Sequence, residues 1–165
     1  MPCITVESPI GNLSVHERHG AIVALNWDGA NGAPEQETPL LTRARAQLGE
    51  YFAGERREFD LPLAPAGTEF LQSLWRALRR IPYGRTLTYG ELARTTGTAP
   101  RAAGLACGRN PIAILIPCHR VVAADGKLTG YSGGDGVATK RALLDLEARF
   151  GSGVRPLPGL QTAQS

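Results

Sequence analysis

The run Ile112-Ala113-Ile114-Leu115-Ile116-Pro117 constrains this 165-residue chain more than any other feature. Six successive residues without a polar side chain must be withdrawn from water. Val121-Val122 is a second apolar pair close behind, and between the two pieces lie Cys118, His119 and Arg120. Whatever buries the apolar pieces carries a thiol, an imidazole and a guanidinium in with them. Both pieces are rich in β-formers and read as buried, strand-like segments. Neighbouring residues of a regular strand point to opposite faces, so Cys118 and His119 can cooperate only if the chain turns there or a water bridges them. Pro117 favours such a departure. A free cysteine is most often a small buried hydrophobe, and that reading suffices for Cys3 and Cys107. Cys118 differs in having a histidine and an arginine directly after it. An imidazole can take the thiol proton, and a carboxylate behind the imidazole would orient it.

Composition narrows the classes. A hydrophobic share of 42% and a charged share of 20% suit a soluble globular protein of one compact domain or two small ones. No apolar run approaches the ~20 residues of a bilayer-spanning helix, so no membrane role is expected. The start, MPCITVESPIG, lacks the basic-then-apolar order of a secretory signal. Free thiols in a reducing cytoplasm are then the simplest state for three cysteines. Their spacing, with His16 and His19 near Cys3, fits no zinc pattern, so the expectation is no metal and no cofactor. Charge is uneven. Residues 1–66 carry five Arg against nine acids, net −4, and residues 67–150 carry twelve Lys/Arg against six acids, net +6. A basic half suits an anionic partner, although a scattered, solvated surface accounts equally well for the same charges.

Residues 1–65 read as a small α/β unit. CITVES and LSVHE flank the turn signal PIGN, and AIVALNW follows as a third strand. A polar Gly/Pro loop leads to a helix over residues 39–53, with Leu40, Leu41, Ala44, Leu48, Tyr51 and Phe52 at helical spacing. EFDLPLAPAG is an extended link. Residues 66–150 read as mostly helical. Thr68 N-caps EFLQSLWRALRR, in which Phe70, Leu71, Leu74, Trp75 and Leu78 form one apolar face and Arg76, Arg79 and Arg80 lie away from it. Thr88 to Glu91 has capping-box form and opens a short helix ending near Gly97. Another helix starts around Pro100 and breaks at Asn110-Pro111. Two short helices joined by a Gly-containing turn match the helix-turn-helix pattern. Arg101 opens the second, followed by Ala102, Ala103, Gly104, Ala106 and Gly108. Small residues let a backbone approach DNA closely, and they equally let a helix pack against a core. Residues 151–165 read as a mobile tail.

The segment IPCHRVV resembles the active-site signature of the O6-alkylguanine-DNA alkyltransferases, also called methylated-DNA–protein-cysteine methyltransferases. The likeness extends through FLQSLWRALRRIPYGRTLTYGELA, GRNPIAILIPCHRVV, GKLTGYSGG and KRALLDLE, and is strong from about 69 to 147. It implies an α+β fold: a small N-terminal α/β domain ahead of a winged-helix-like helix-turn-helix domain. It implies stoichiometric, irreversible transfer of the alkyl group from O6-alkylguanine in double-stranded DNA to Cys118. The protein would be a cytoplasmic monomer with scope for cooperative binding, reaching a flipped base from the minor groove. By the same resemblance His119 would take the Cys118 proton through a water, Glu147 would orient His119, and Asn110 would hold the hinge before the active site. Arg101 would replace the extruded guanine in the stack, and Tyr89 would help rotate the nucleotide and contact the base. Backbone groups of Cys118 and Val121 would accept from the guanine amino group. Ser132, in the loop with Tyr131, would donate its N–H to O6, and Lys140 would support the site near Tyr131. Two spacings depart from the family. Tyr89 to Arg101 is about two residues short, so the helix-turn-helix turn must be tighter or built differently. The stretch GGDGVATK before Lys140 is about two residues long, which unsettles the placement of Lys140.

Two other classes share parts of this pattern. A cysteine hydrolase would use Cys118, His119 and Glu147 but needs an oxyanion hole, for which the sequence shows no separate motif. A helix-turn-helix regulator would have no use for Cys118.

Overall fold

The computed structural model describes residues 1–27, 34–128, 134 and 136–151. The tail expected after residue 151 lies outside them, as do Tyr131 and Ser132. The chain forms two compact units, Met1–Ala66 together with Pro111–Ala113, and Gly67–Asn110 together with the chain from Ile114 onward.

The first unit is a sheet and a helix. Strands β1 (Cys3–Ser8), β2 (Gly11–Arg18) and β3 (Ala21–Asn26) form an antiparallel meander in the order β1-β2-β3. Ile4, Val6, Leu13, Val15, Ile22 and Leu25 are buried, as alternating apolar residues on one face of a sheet require. Helix α1 (Pro39–Phe52) is started by Thr38, whose hydroxyl accepts the Leu41 N–H at 3.0 Å, and by Pro39 in its first turn. Its Leu40, Leu41, Ala44, Leu48 and Tyr51 are buried, the helical spacing read from the sequence. The open edge of β3 is covered by two short extended pieces, one bridging at Ile22↔Leu63 and one at Leu25↔Ile112, with Leu25 N–H donating to Pro111 O at 3.0 Å. A covered edge cannot pair with another chain.

The second unit is helical. Helix α2 (Glu69–Arg79) is capped by Thr68, and helix α3 (Tyr89–Thr96) by the full Thr88–Glu91 box. Within the box Glu91 N–H donates to Thr88 Oγ1 at 3.0 Å and Thr88 N–H donates to Glu91 Oε1 at 2.8 Å. Gly97 ends α3 in the left-handed conformation at φ 71°, and helix α4 (Pro100–Gly108) begins three residues later. That turn, Gly97 to Ala99, is how the short Tyr89–Arg101 interval is accommodated. A strand pair, β4 (Leu87–Thr88) parallel to β5 (Val121–Val122), and a final helix α5 (Val137–Gly151) complete the unit.

Two expectations need correction. Phe70 is 44% exposed, so the buried face of α2 runs through Leu74, Trp75, Ala77 and Leu78 instead. Residues 112–117 are buried but do not form a strand. Apolar composition fixed their burial, whereas local backbone geometry fixed their path, as described below.

Trp75 holds α4 in place, with its indole Nε1–H donating to Ala106 O at 2.9 Å. Gly67 makes room for that ring: a Cβ there would lie 2.6 and 2.7 Å from Trp75 ring carbons. Gly49, in α1, has nothing within 4 Å of a built Cβ. Gly67→Ala is therefore expected to cost about 1–3 kcal/mol through overpacking, whereas Gly49→Ala should stabilise by roughly 0.5–1 kcal/mol. Urea unfolding of the two variants checks the contrast.

Candidate functional site

The chain turns at Pro117. Pro117 has φ −81° and ψ 65°, and Cys118 N–H reaches back to Ile116 O at 2.8 Å, the geometry of an inverse γ-turn. A 3-10 turn over Cys118–Arg120 follows, closed by Arg120 N–H to Pro117 O at 3.0 Å. Successive side chains on such a turn are about 120° apart, not the 180° of a strand. The turn thus removes the opposition that a strand would impose on residues 118 and 119. Just upstream, Ile114 sits at φ 73°, a conformation that a β-branched side chain rarely adopts. Asn110 supports the turn from α4's end: its amide donates to Ile116 O at 2.8 Å and also hydrogen-bonds the Cys118 thiol. The hinge residue implied by the resemblance thus meets both the turn and the sulfur.

Cys118 is 5% exposed, and burial pushes its thiol pKa up against the opposing help of Asn110 and Lys140. His119 is fully buried. Its Nε2 lies 2.7 Å from Glu147 Oε2, while its buried Nδ1 has no hydrogen-bond partner among the described residues. Burial holds the imidazole pKa below its ordinary value, although Glu147 pulls it up by charge and by hydrogen bonding. Glu147, 1% exposed on α5, is raised by burial, but His119 and Arg120 outweigh this and hold its carboxyl well below the usual carboxylate range. A carboxylate orienting an imidazole whose other ring nitrogen has no partner among the described residues is an arrangement suited to taking up a proton.

Tyr89 is half-buried at the start of α3, with its ring beside Gly104 of α4. The buried Lys140 of α5 donates to the Tyr89 hydroxyl at 3.4 Å and lies 5.6 Å from its ring centre. Lys140 also interacts electrostatically with Cys118 and Cys107, and burial lowers its own pKa. The structure therefore brings Lys140 to Tyr89 and the sulfur; its expected neighbour Tyr131 lies outside the described residues. Burial pushes the Cys107 thiol up to about 12, so it stays protonated at neutral pH. Val121 is buried in β5, and its N–H donates to Cys118 O. That carbonyl keeps a second lone pair.

Arg101 is exposed near the start of α4, Leu105 is exposed further along it, and Arg109 is exposed at its C-cap. Ala103, Ala106 and Cys107 face inward and are buried. The small residues of α4 serve packing, and the arginine serves the surface. Sequence reasoning gave no role to Arg120, whose guanidinium forks onto Glu147 with Nε to Oε1 and Nη2 to Oε2, both 2.9 Å. No local signal ties residue 120 to residue 147; only the fold brings them together. Among the described residues no cluster of His, Cys, Asp or Glu is placed to hold a metal ion, and no helix is long and apolar enough to cross a membrane.

Comparison with known proteins covers most of the chain. Residues 1–65 match the 6-O-methylguanine DNA methyltransferase ribonuclease-like domain, and residues 69–149 match the DNA binding domain of the same family. A methylated-DNA–protein-cysteine methyltransferase of Mycolicibacterium paratuberculosis is 49% identical over 88% of this chain and 91% of its own length. One from Methanosarcina acetivorans is 47% identical over 86% of this chain and 94% of its own length. A crystal structure of Mycobacterium tuberculosis OGT in complex with DNA superposes with a TM-score of 0.82 at 45% identity, covering 91% of this chain and 94% of that one. An α+β fold with a thiol–imidazole–carboxylate line and a helix-turn-helix, matched over both domains at this identity, places the chain in the 6-O-methylguanine DNA methyltransferase family.

Proposed function

We propose that the chain repairs O6-alkylguanine in duplex DNA by moving the alkyl group to Cys118 Sγ, once per molecule. The observation that carries this reading is the line Cys118, His119, Glu147, with His119 Nε2 held by the carboxylate and Nδ1 left to receive a proton.

A thiol 5% exposed cannot enter a base stack, so the damaged base must come to it. Flipping costs a few kcal/mol of stacking and pairing, least for a damaged base. Arg101, exposed on α4, is the side chain that fills the gap from the minor groove. The excess of arginine and lysine in residues 67–150 supplies phosphate contacts, which are independent of sequence and weaken with salt. A repair protein needs that indifference, because lesions arise anywhere. Tyr89, Ser132 and the backbone carbonyls of Cys118 and Val121 read the extruded base, and Lys140 holds the Tyr89 hydroxyl.

In the transfer, the Cys118 proton passes to His119 Nδ1, directly or through a water. Sulfur then attacks the alkyl carbon, forming an S–C bond as the C–O6 bond breaks and its electron pair moves onto guanine. Donors at O6 and the ring nitrogens neutralise that charge. The product thioether has no acidic proton and its carbon–sulfur bond is stable, which limits each molecule to one event. The chain acts as a monomer in the reducing cytoplasm, where its thiols stay free.

With duplex DNA labelled on the O6-methyl group, label is expected on the peptide containing Cys118, at one equivalent per protein. Cys118→Ala should abolish labelling while leaving duplex binding intact in a gel-shift assay; transfer that persists in this variant would refute the assignment. Arg101→Ala removes about 1.5–3 kcal/mol of help with flipping and should slow transfer about 10- to 100-fold. Stability should fall in acid. Both His119 and Glu147 have folded pKa values below their unfolded ones, so the unfolded chain binds more protons and their contribution is complete above the ordinary histidine pKa of 6.5. It is lost first as pH drops below 6.5, then further below the ordinary carboxylate value of 4.5. Glu147→Gln should remove the carboxylate's part of that acid limb, the loss below 4.5, in thermal unfolding measured across pH.

A further inference from the structure

Glu147 is surrounded by donors. Oε1 accepts Arg120 Nε at 2.9 Å and Gly84 N–H at 3.2 Å. Oε2 accepts Arg120 Nη2 at 2.9 Å and lies 2.7 Å from His119 Nε2. The third guanidinium nitrogen, Nη1, donates to Ile81 O at 2.7 Å, and the group lies 5.7 Å from the Tyr83 ring centre. Arg120 is 6% exposed, so this is a fixed fork and not a solvated surface pair. Three of the four contacts to Glu147, from Arg120 and the Gly84 amide, bring a donor to the carboxylate, which favours its ionised form.

We propose that Arg120 is a positioning residue that acts through Glu147. Its fork keeps the carboxylate ionised and in place, so His119 Nε2 can meet it only as an N–H donor, and the imidazole lone pair is left at Nδ1 for the Cys118 proton. This deepens the function proposed above and rests on it. Arg120 has a second consequence through charge. The charged groups acting on His119 are Glu147 and Lys140 from α5 and Arg120 from its own turn; Cys118, and Cys107 of α4, face Lys140. Glu147 alone would favour imidazolium, which cannot accept a proton. Burial does most to keep the imidazole neutral, and Arg120, with Lys140, adds to this by offsetting the anion.

The test compares single-turnover transfer from O6-methylguanine duplex across pH for the wild type, Arg120→Gln and Arg120→Lys. Transfer needs neutral His119, so its rate falls as pH drops through the histidine pKa. Removing the guanidinium charge leaves Glu147 unbalanced and raises that pKa. The acid limb of Arg120→Gln should therefore move to higher pH by about 1 unit or more. Arg120→Lys keeps the charge and loses the fork, so its limb should stay near that of the wild type while its rate falls at every pH. If Arg120→Gln is slower but its limb does not move, Arg120 is merely structural and the inference is overturned. Ring-nitrogen NMR of His119 in the 15N-labelled wild type decides the matter even if the variants fail to fold. A neutral Nε2–H tautomer is expected, and an Nδ1–H tautomer would overturn the inference. Absence of methyl on wild-type Cys118 would instead overturn the proposed function, and the two failures are thereby distinguished.

Discussion

A single buried carboxylate organises the site. Glu147 has almost no contact with water, and an isolated ion in that position would cost several kcal/mol. It is tolerated because Arg120, His119 and the Gly84 amide meet its oxygens. Those donors come from the 3-10 turn and from the loop after α2, so one side chain on α5 ties both to the last helix. The same contacts set the protonation of the imidazole. Structure and chemistry therefore share one charge, and stability and reactivity depend on it together.

The second constraint is the path of the backbone into the turn. Ile116 O accepts from both Cys118 N–H and the Asn110 side chain, which uses both of its lone pairs. Ile114 holds a left-handed conformation that costs of order 1–3 kcal/mol for a residue of its kind. Burial of the surrounding apolar residues offsets that strain. The result is a sulfur whose position is fixed on both sides, by a γ-turn before it and a 3-10 turn after it. A nucleophile gains from such rigidity, because misplacement of the reacting atom lowers the rate steeply.

Helix α4 divides its residues between two tasks. Ala103, Ala106 and Cys107 pack inward, and Trp75 fastens the helix through Ala106 O. Arg101 stands exposed on the same helix. The packing reading of the small-residue pattern thus holds for Ala103, Ala106 and Cys107.

Much was legible beforehand because it depends on local chemistry. The Thr68 and Thr88 caps, the Gly97 stop and the strand meander follow from side chains acting on their own backbone within a few residues. The long motifs singled out His119 and Glu147, which the fold brings to 2.7 Å of each other, and Asn110, which meets the Cys118 thiol. Phe70 could not be placed, since periodicity gives a face but not the neighbour that covers it. Residues 112–117 misled in a similar way: apolar content demands burial, and a β-rich composition suggests a strand, but a γ-turn and one left-handed residue depend on which carbonyls find partners. Arg120 and Lys140 show the limit most clearly. Their residue types were visible, yet their roles come from contacts with Glu147 and Tyr89, which are 27 and 51 positions away in the chain. Such pairings are set by how helices pack, because a charge buried in the interior must find its counterpart through space, whatever the distance along the sequence.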